Sequence, residues 1–72
     1  MNVPKIRLQF AGRLKEERRK AKLTQERLAE LIDVSTRYYQ MLESKKPPAI
    51  TIDTVEKIAK ALKIRIAKLF NF

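Results

Sequence analysis

Apolar side chains recur every three to four positions along most of this chain, and polar ones fill the gaps between them. Phe10, Leu14 and Ala21 share a stripe, with Arg18 on the same side, which predicts a first helix over about residues 10–21. Leu28, Ala29, Leu31 and Ile32 mark the inward side of a second helix. Tyr39 and Leu42 mark a third, over about residues 36–44. Ile52, Val55, Ile58, Ala59 and Leu62 line a fourth, ending near Leu62. Ile66, Leu69 and Phe70 suit a short fifth, over about residues 65–70. Alternation with period two is confined to residues 64–66, too short for a strand. The expected fold is all-α, five helices and no sheet.

The punctuation agrees with this spacing. Thr24 precedes the second helix, where its hydroxyl can accept a bond from an unpaired amide of the first turn, and Glu26 suits the positive helix end. Ser35 and Thr51 stand in the same relation to the third and fourth helices. Asp33 occupies the turn between helices two and three, and Val34 returns to the core. Pro47 and Pro48 stop the third helix and stiffen the loop that Lys45 and Lys46 begin. Gly12, inside the first helix, costs about 1 kcal/mol relative to alanine. Pro4 opposes an early helix. Residues 1–9, with Lys5 and Arg7, therefore read as a basic arm ahead of a single domain over residues 10–72.

Composition narrows the function. A chain of 72 residues is near the lower limit for folding alone, burying only about 60% of its unfolded surface. There is no cysteine, so no disulfide and no thiol chemistry, and no histidine, the commonest metal ligand and general base. No nucleophile–base set or metal-ligand cluster is visible, so neither an enzyme nor a cofactor is expected. No apolar run approaches the roughly 20 residues that span a bilayer, and no signal-peptide core is present. The expected location is the cytoplasm, at the nucleoid. Lysine and arginine total 17 against 8 acids, a net charge of +9. That excess points to a polyanionic partner, nucleic acid ahead of an anionic membrane surface.

The stretch from Gln25 to Leu42 concentrates the pattern. Leu28, Ile32, Val34, Tyr39 and Leu42 face inward, and Ala29 is small where two steeply crossing helices approach closest. This is the spacing of a helix-turn-helix, whose second helix can enter a DNA major groove. The outer face of that helix carries Thr36, Arg37 and Gln40. Arg37 can pair bidentately with guanine, Gln40 can bond adenine, and Thr36 can offer its methyl or hydroxyl to a base edge. A solvated face, with arginine touching only phosphate, is the plainer alternative. Tyr38 either bonds phosphate at the groove edge or packs on the first helix. Met41 either meets thymine methyls or fills a gap in the core. Ser44, Lys45 and Lys46 close the unit and are expected on phosphates. Arg13, Arg19, Lys20 and Lys22 are expected to form a basic rim, and Lys57, Lys60 and Lys63 a solvated face.

Three segments carry a family resemblance: Leu-Thr-Gln-Glu-Arg-Leu-Ala-Glu-Leu-Ile-Asp-Val-Ser (residues 23–35), Leu-Glu-Ser-Lys-Lys (42–46) and Thr-Val-Glu-Lys-Ile-Ala-Lys-Ala-Leu (54–62). Together they resemble the phage-repressor and Cro-like, or Xre, helix-turn-helix family, over roughly residues 10–70. The resemblance implies a compact five-helix lambda-repressor-like domain of bacterial or phage type. It implies binding, commonly as a dimer, to two-fold-related operator half-sites in double-stranded DNA. It also implies a phosphate contact at Gln25, and a buried ion pair between the first and third helices at Arg18 and Glu43. Three positions depart from the family pattern. Asp33 stands in the turn where glycine is usual, and Lys22 and Lys63 follow the first and fourth helices where glycine is frequent. The loop at Pro47 and Pro48 is about one residue longer than usual.

The function expected from all this is a sequence-specific transcriptional regulator, an operator-binding repressor that inserts its third helix into the major groove. A homodimer patch is expected at Leu69, Phe70 and Phe72; the alternative is that they close the monomer's own core. The alternative function is a protein-interaction adaptor that keeps the fold without reading DNA.

Overall fold

Helices α1 (Lys5–Lys20), α2 (Gln25–Leu31), α3 (Thr36–Leu42), α4 (Ile52–Leu62) and α5 (Ile66–Leu69) follow in the predicted order, and the described residues contain no strand. The computed structural model describes residues 2–72; Met1, part of the expected arm, lies outside them.

The arm is the main correction. Residues 5–9 are helical, so α1 starts five residues before the predicted position, with residues 2–4 the only described residues ahead of it. The physical reason is Pro4. Proline disrupts a helix interior but suits a helix start, where a missing N–H has no partner to lose. Pro4 stands just before the first helical residue with φ −54°, and its carbonyl accepts the Arg7 N–H at 3.0 Å.

The three expected side-chain caps form. Thr24 Oγ1 accepts the Arg27 N–H at 3.0 Å, Ser35 Oγ the Tyr38 N–H at 3.0 Å, and Thr51 Oγ1 the Thr54 N–H at 3.1 Å. Each leaves one fewer unpaired amide at a helix start.

Helices α1, α2 and α4 end in the same way. Within two residues of each end stands a left-handed backbone: Lys22 at φ 59°, Asp33 at φ 60°, Lys63 at φ 57°. The next residue donates back into the helix: Leu23 to the Arg18 carbonyl at 3.2 Å, Val34 to Ala29 at 3.0 Å, Ile64 to Ala59 at 3.0 Å. Leu23, Val34 and Ile64 all pack against the core. This is the Schellman ending, complete with its apolar anchor but without glycine. A left-handed L-residue costs about 1–2 kcal/mol, and the recaptured carbonyls and buried anchors offset it.

The core is built from every helix. Phe10 and Leu14 of α1, Leu28 and Ala29 of α2, Tyr39 and Leu42 of α3, Val55, Ile58, Ala59 and Leu62 of α4, and Leu69 of α5 are buried, as is Ile32 after α2. Helix α2 packs on α3 and α4, and α5 closes against α1 and α4. Five expected core positions are not in it. Ala21, Leu31, Ile66 and Phe70 are exposed, and Ile52 is 79% exposed. Ala21 and Ile52 sit at helix ends, where a periodic stripe has already turned away from the neighbouring elements.

Candidate nucleic-acid interface

Helix α3 is rolled by its own buried residues. Tyr39 and Leu42 are wholly inside, so the opposite side faces out. Arg37, Gln40 and Met41 are exposed there, Thr36 is half-buried, and exposed Ser44 continues the same stripe one turn on. The sequence left Met41 between groove and core; its exposure puts it on the outer face with Arg37 and Gln40. Tyr38 is half-buried and packs against the core. None of the described residues covers Arg37 or Gln40.

Past α3, Ser44 shapes a turn. Its hydroxyl donates to the Met41 carbonyl at 2.7 Å and accepts the Lys46 N–H at 3.2 Å. The proton is thus engaged, and a phosphate contact from Ser44 requires its hydroxyl to rotate away. Lys45 and Lys46 project into solvent beside it, while Pro47 is buried and pins the loop.

Beneath this face lies a charged network. Arg18 Nε donates to Glu43 Oε2 at 2.7 Å, Nη2 to Oε1 at 3.1 Å, and Nη1 to the Leu23 carbonyl at 2.7 Å. The Glu43 side chain is only 2% exposed. Gln25 Nε2 donates to the same Glu43 Oε1 at 3.1 Å. One carboxylate therefore joins α1, the start of α2 and the end of α3. Hydrogen bonding to Glu43 outweighs burial and holds the Arg18 guanidinium above its ordinary value. Burial alone would raise the Glu43 carboxyl, but hydrogen bonds from Arg18 and Gln25, with the Tyr39 hydroxyl close by, keep it below the ordinary carboxylate range. Burial, reinforced by that carboxylate, pushes the Tyr39 hydroxyl up. Tyr39 Oη is buried beside that carboxylate and makes no well-formed hydrogen bond among the described residues.

The resemblance put the ion pair on Arg18 and Glu43, and they form it. The sequence missed the bond from Gln25, because residues 18 positions apart give no periodic signal. It also missed Arg13. That side chain is not part of a free basic rim: it reaches across to the Lys68 carbonyl at 2.9 Å and pairs with Glu16 at 3.1 Å and buried Glu17 at 3.3 Å. The spacing of Arg13 to Glu16 and Glu17 was the available signal. Lys20 pairs with the same two acids at 3.4 Å. Arg19, Lys22, Arg37, Lys45 and Lys46 make no ion pair among the described residues. No metal-ligand cluster and no pocket occurs among the described residues.

Comparison with known proteins agrees with this geometry. A family model described as helix-turn-helix matches residues 14–69. The crystal structure of the restriction-modification controller protein C.AhdI from Aeromonas hydrophila is similar, with TM-score 0.83 and 31% identity over 89% of this chain and 96% of that one. The clp gene regulator ClgR from Corynebacterium glutamicum shares the fold, with TM-score 0.85 at 24% identity over 94% of this chain and 71% of that one. No curated protein sequence matches. Capped helices, a packed α2–α3 pair and a bare outer face on α3 thus coincide with a match over most of the chain, and the protein belongs to the Xre-type helix-turn-helix family of DNA-binding transcriptional regulators, which are not enzymes.

Proposed function

We propose that the protein is a sequence-specific regulator that lays α3 in the major groove of an operator and represses by occupying it. The observation that carries this reading is the uncovered face of α3, with Arg37 and Gln40 exposed over buried Tyr39 and Leu42. Arg37, Gln40 and Thr36 read base edges, and Met41 adds apolar contact to thymine methyls. Gln25, Tyr38, Lys45 and Lys46 hold phosphates, joined by Ser44 when its hydroxyl turns outward. Repression asks only that the protein sit on a promoter. The solved relative C.AhdI is described as a restriction-modification controller, which supports a gene-control role in bacteria and hence a cytoplasmic one. No described helix is long and apolar enough to cross a membrane.

Two copies acting together suit this site. Helix α3 has seven residues, about 10 Å of rod, enough for only a few base pairs. A two-fold dimer reads two half-sites about 34 Å apart. Phe70 and Phe72, 40% and 52% exposed, supply the apolar patch for it. Phe70 lies between Phe10 and Phe72, with ring centroids at 5.2 and 6.3 Å. Leu69, expected in the same patch, closes the monomer's core instead.

Selection of bound sequences from a random duplex pool tests the reading. A two-fold-related motif is the expected outcome. An unenriched pool with weak, salt-insensitive binding would assign the fold to protein interaction.

A further inference from the structure

We infer that Glu43 is a positioning residue for DNA binding: through its hydrogen bond to Gln25, the Arg18–Glu43 ion pair sets the orientation of the side chain that meets the phosphate backbone. The inference rests on the DNA-binding reading and goes beyond it, because it gives the buried ion pair a role at the interface.

The geometry is asymmetric in a useful way. Gln25 opens α2 and Glu43 follows α3, yet Nε2 and Oε1 are 3.1 Å apart. Glu43 is itself fixed by two bonds from Arg18, whose third bond anchors the Leu23 carbonyl one residue before the α2 cap. An ionised carboxylate only accepts hydrogen bonds. The amide of Gln25 must therefore turn its NH2 end, not its carbonyl, toward Glu43. One N–H is used there and the other remains to donate, which is the polarity a phosphate oxygen requires. A free glutamine side chain loses rotamer freedom when a ligand immobilises it. Gln25 has already lost that freedom before DNA arrives, so the loss does not count against binding. Gln40, exposed and without a side-chain hydrogen bond among the described residues, has not.

The test has two arms, and both use the full chain. In the free protein, the Gln25 side-chain amide is expected to be as ordered as rigid backbone, about 0.85 by NMR order parameter, with Gln40 below about 0.6. A Gln25 amide as mobile as that of Gln40 overturns the inference. On the duplex selected from a random pool, Gln25→Ala is expected to weaken binding about tenfold, equally on selected and unrelated DNA. Replacing both partners, Arg18→Met with Glu43→Leu, leaves net charge unchanged and replaces a buried pair with apolar volume, an exchange that proteins often tolerate. This folded variant is expected to free the Gln25 amide and to lose the same factor in affinity, with Gln25→Ala adding nothing further. A folded double variant that binds as tightly as wild type, or losses that multiply, shows the pair to be structural only. If the double variant does not fold, the order of Gln25 and the affinity of Gln25→Ala decide between the same two outcomes. Absence of DNA binding by the wild type overturns the functional reading itself; the order of Gln25, measured without DNA, keeps that failure distinguishable.

Discussion

Arg18 and Glu43 stand 25 residues apart and meet as a two-pronged ion pair, Nε to Oε2 at 2.7 Å and Nη2 to Oε1 at 3.1 Å. Both side chains are nearly closed to solvent, 11% and 2% exposed. The pair spans the first helix and the end of the third, so it fixes where the recognition unit sits on the rest of the domain.

Removing one partner leaves the other charged and buried. Glu43→Ala is expected to lower stability by about 3–5 kcal/mol, a large share of a small domain's total. Glu30→Ala, which breaks the exposed Arg27–Glu30 pair, costs at most about 0.5 kcal/mol by comparison. Urea unfolding of the two variants measures the difference. Equal losses would contradict the buried role of Glu43.

The same network predicts how stability depends on pH. The Glu43 pKa is lowered in the folded protein from the ordinary 4.5. Its contribution is therefore complete above that value and is lost as pH falls through the lower folded value. Tyr39 is shifted upward from an ordinary 10.0. Its contribution is complete below that value and is lost as pH rises toward the folded one, because the unfolded phenol ionises first. Unfolding midpoints measured across pH should fall on both sides. Tyr39→Phe should flatten the alkaline limb, because no phenol is left to ionise, and should move the acid limb to higher pH, because the hydroxyl beside Glu43 helps hold that carboxyl low. An unchanged alkaline limb would remove Tyr39 from this account.

Glycine is present where the backbone does not need it and missing where it does. A Cβ on Gly12 would meet nothing within 4 Å, so Gly12→Ala should stabilise the protein by about 1 kcal/mol. Lys63 carries φ 57°. Lys63→Gly relieves about 1–2 kcal/mol of left-handed strain against about 0.5–1 kcal/mol of lost chain entropy. The net expectation is a gain of roughly 0.5–1 kcal/mol, a rise of a few degrees in Tm. Thermal unfolding checks both substitutions. A fall in Tm for Lys63→Gly would mean that its left-handed turn is not strained.

Base reading and phosphate holding separate by substitution. Arg37→Ala should relax preference at one operator position and cost about 1–3 kcal/mol if its pairing with guanine is bidentate. Uniform weakening on every duplex would place Arg37 on phosphate. Lys46→Ala should leave base preference intact and reduce the salt slope by about one unit. Titrations at several salt concentrations read that slope, and an unchanged value removes Lys46 from the interface.

Much of the fold was legible because its signals are local. Thr24, Ser35 and Thr51 bond amides three residues away, so a cap can be read from its neighbours alone. Lys22, Asp33 and Lys63 were legible as departures from a glycine pattern, although their backbone angles were not. The start of α1 was misread because Pro4 is a breaker in a helix interior and a good residue at a helix start; only knowing which side the helix lies on distinguishes the two. The exposure of Leu31 and Ile52 was also hidden. Periodicity assigns them to an apolar stripe, but nothing in sequence tells where neighbouring helices stop covering it.

The amino-acid order by itself determined the helices, their caps, the outward side of α3 and the basic character of the surface, because each depends on spacings of a few residues or on composition. Tertiary structure alone decided that Gln25 is tied to Glu43, that Arg13 reaches the Lys68 carbonyl, and that Leu69 is inside while Phe70 is exposed. These pairs lie 18 and 55 residues apart, and the position of Leu69 depends on how α5 docks on α1 and α4. Such contacts exist only once separate helices have packed, and no local pattern encodes the distance between their ends.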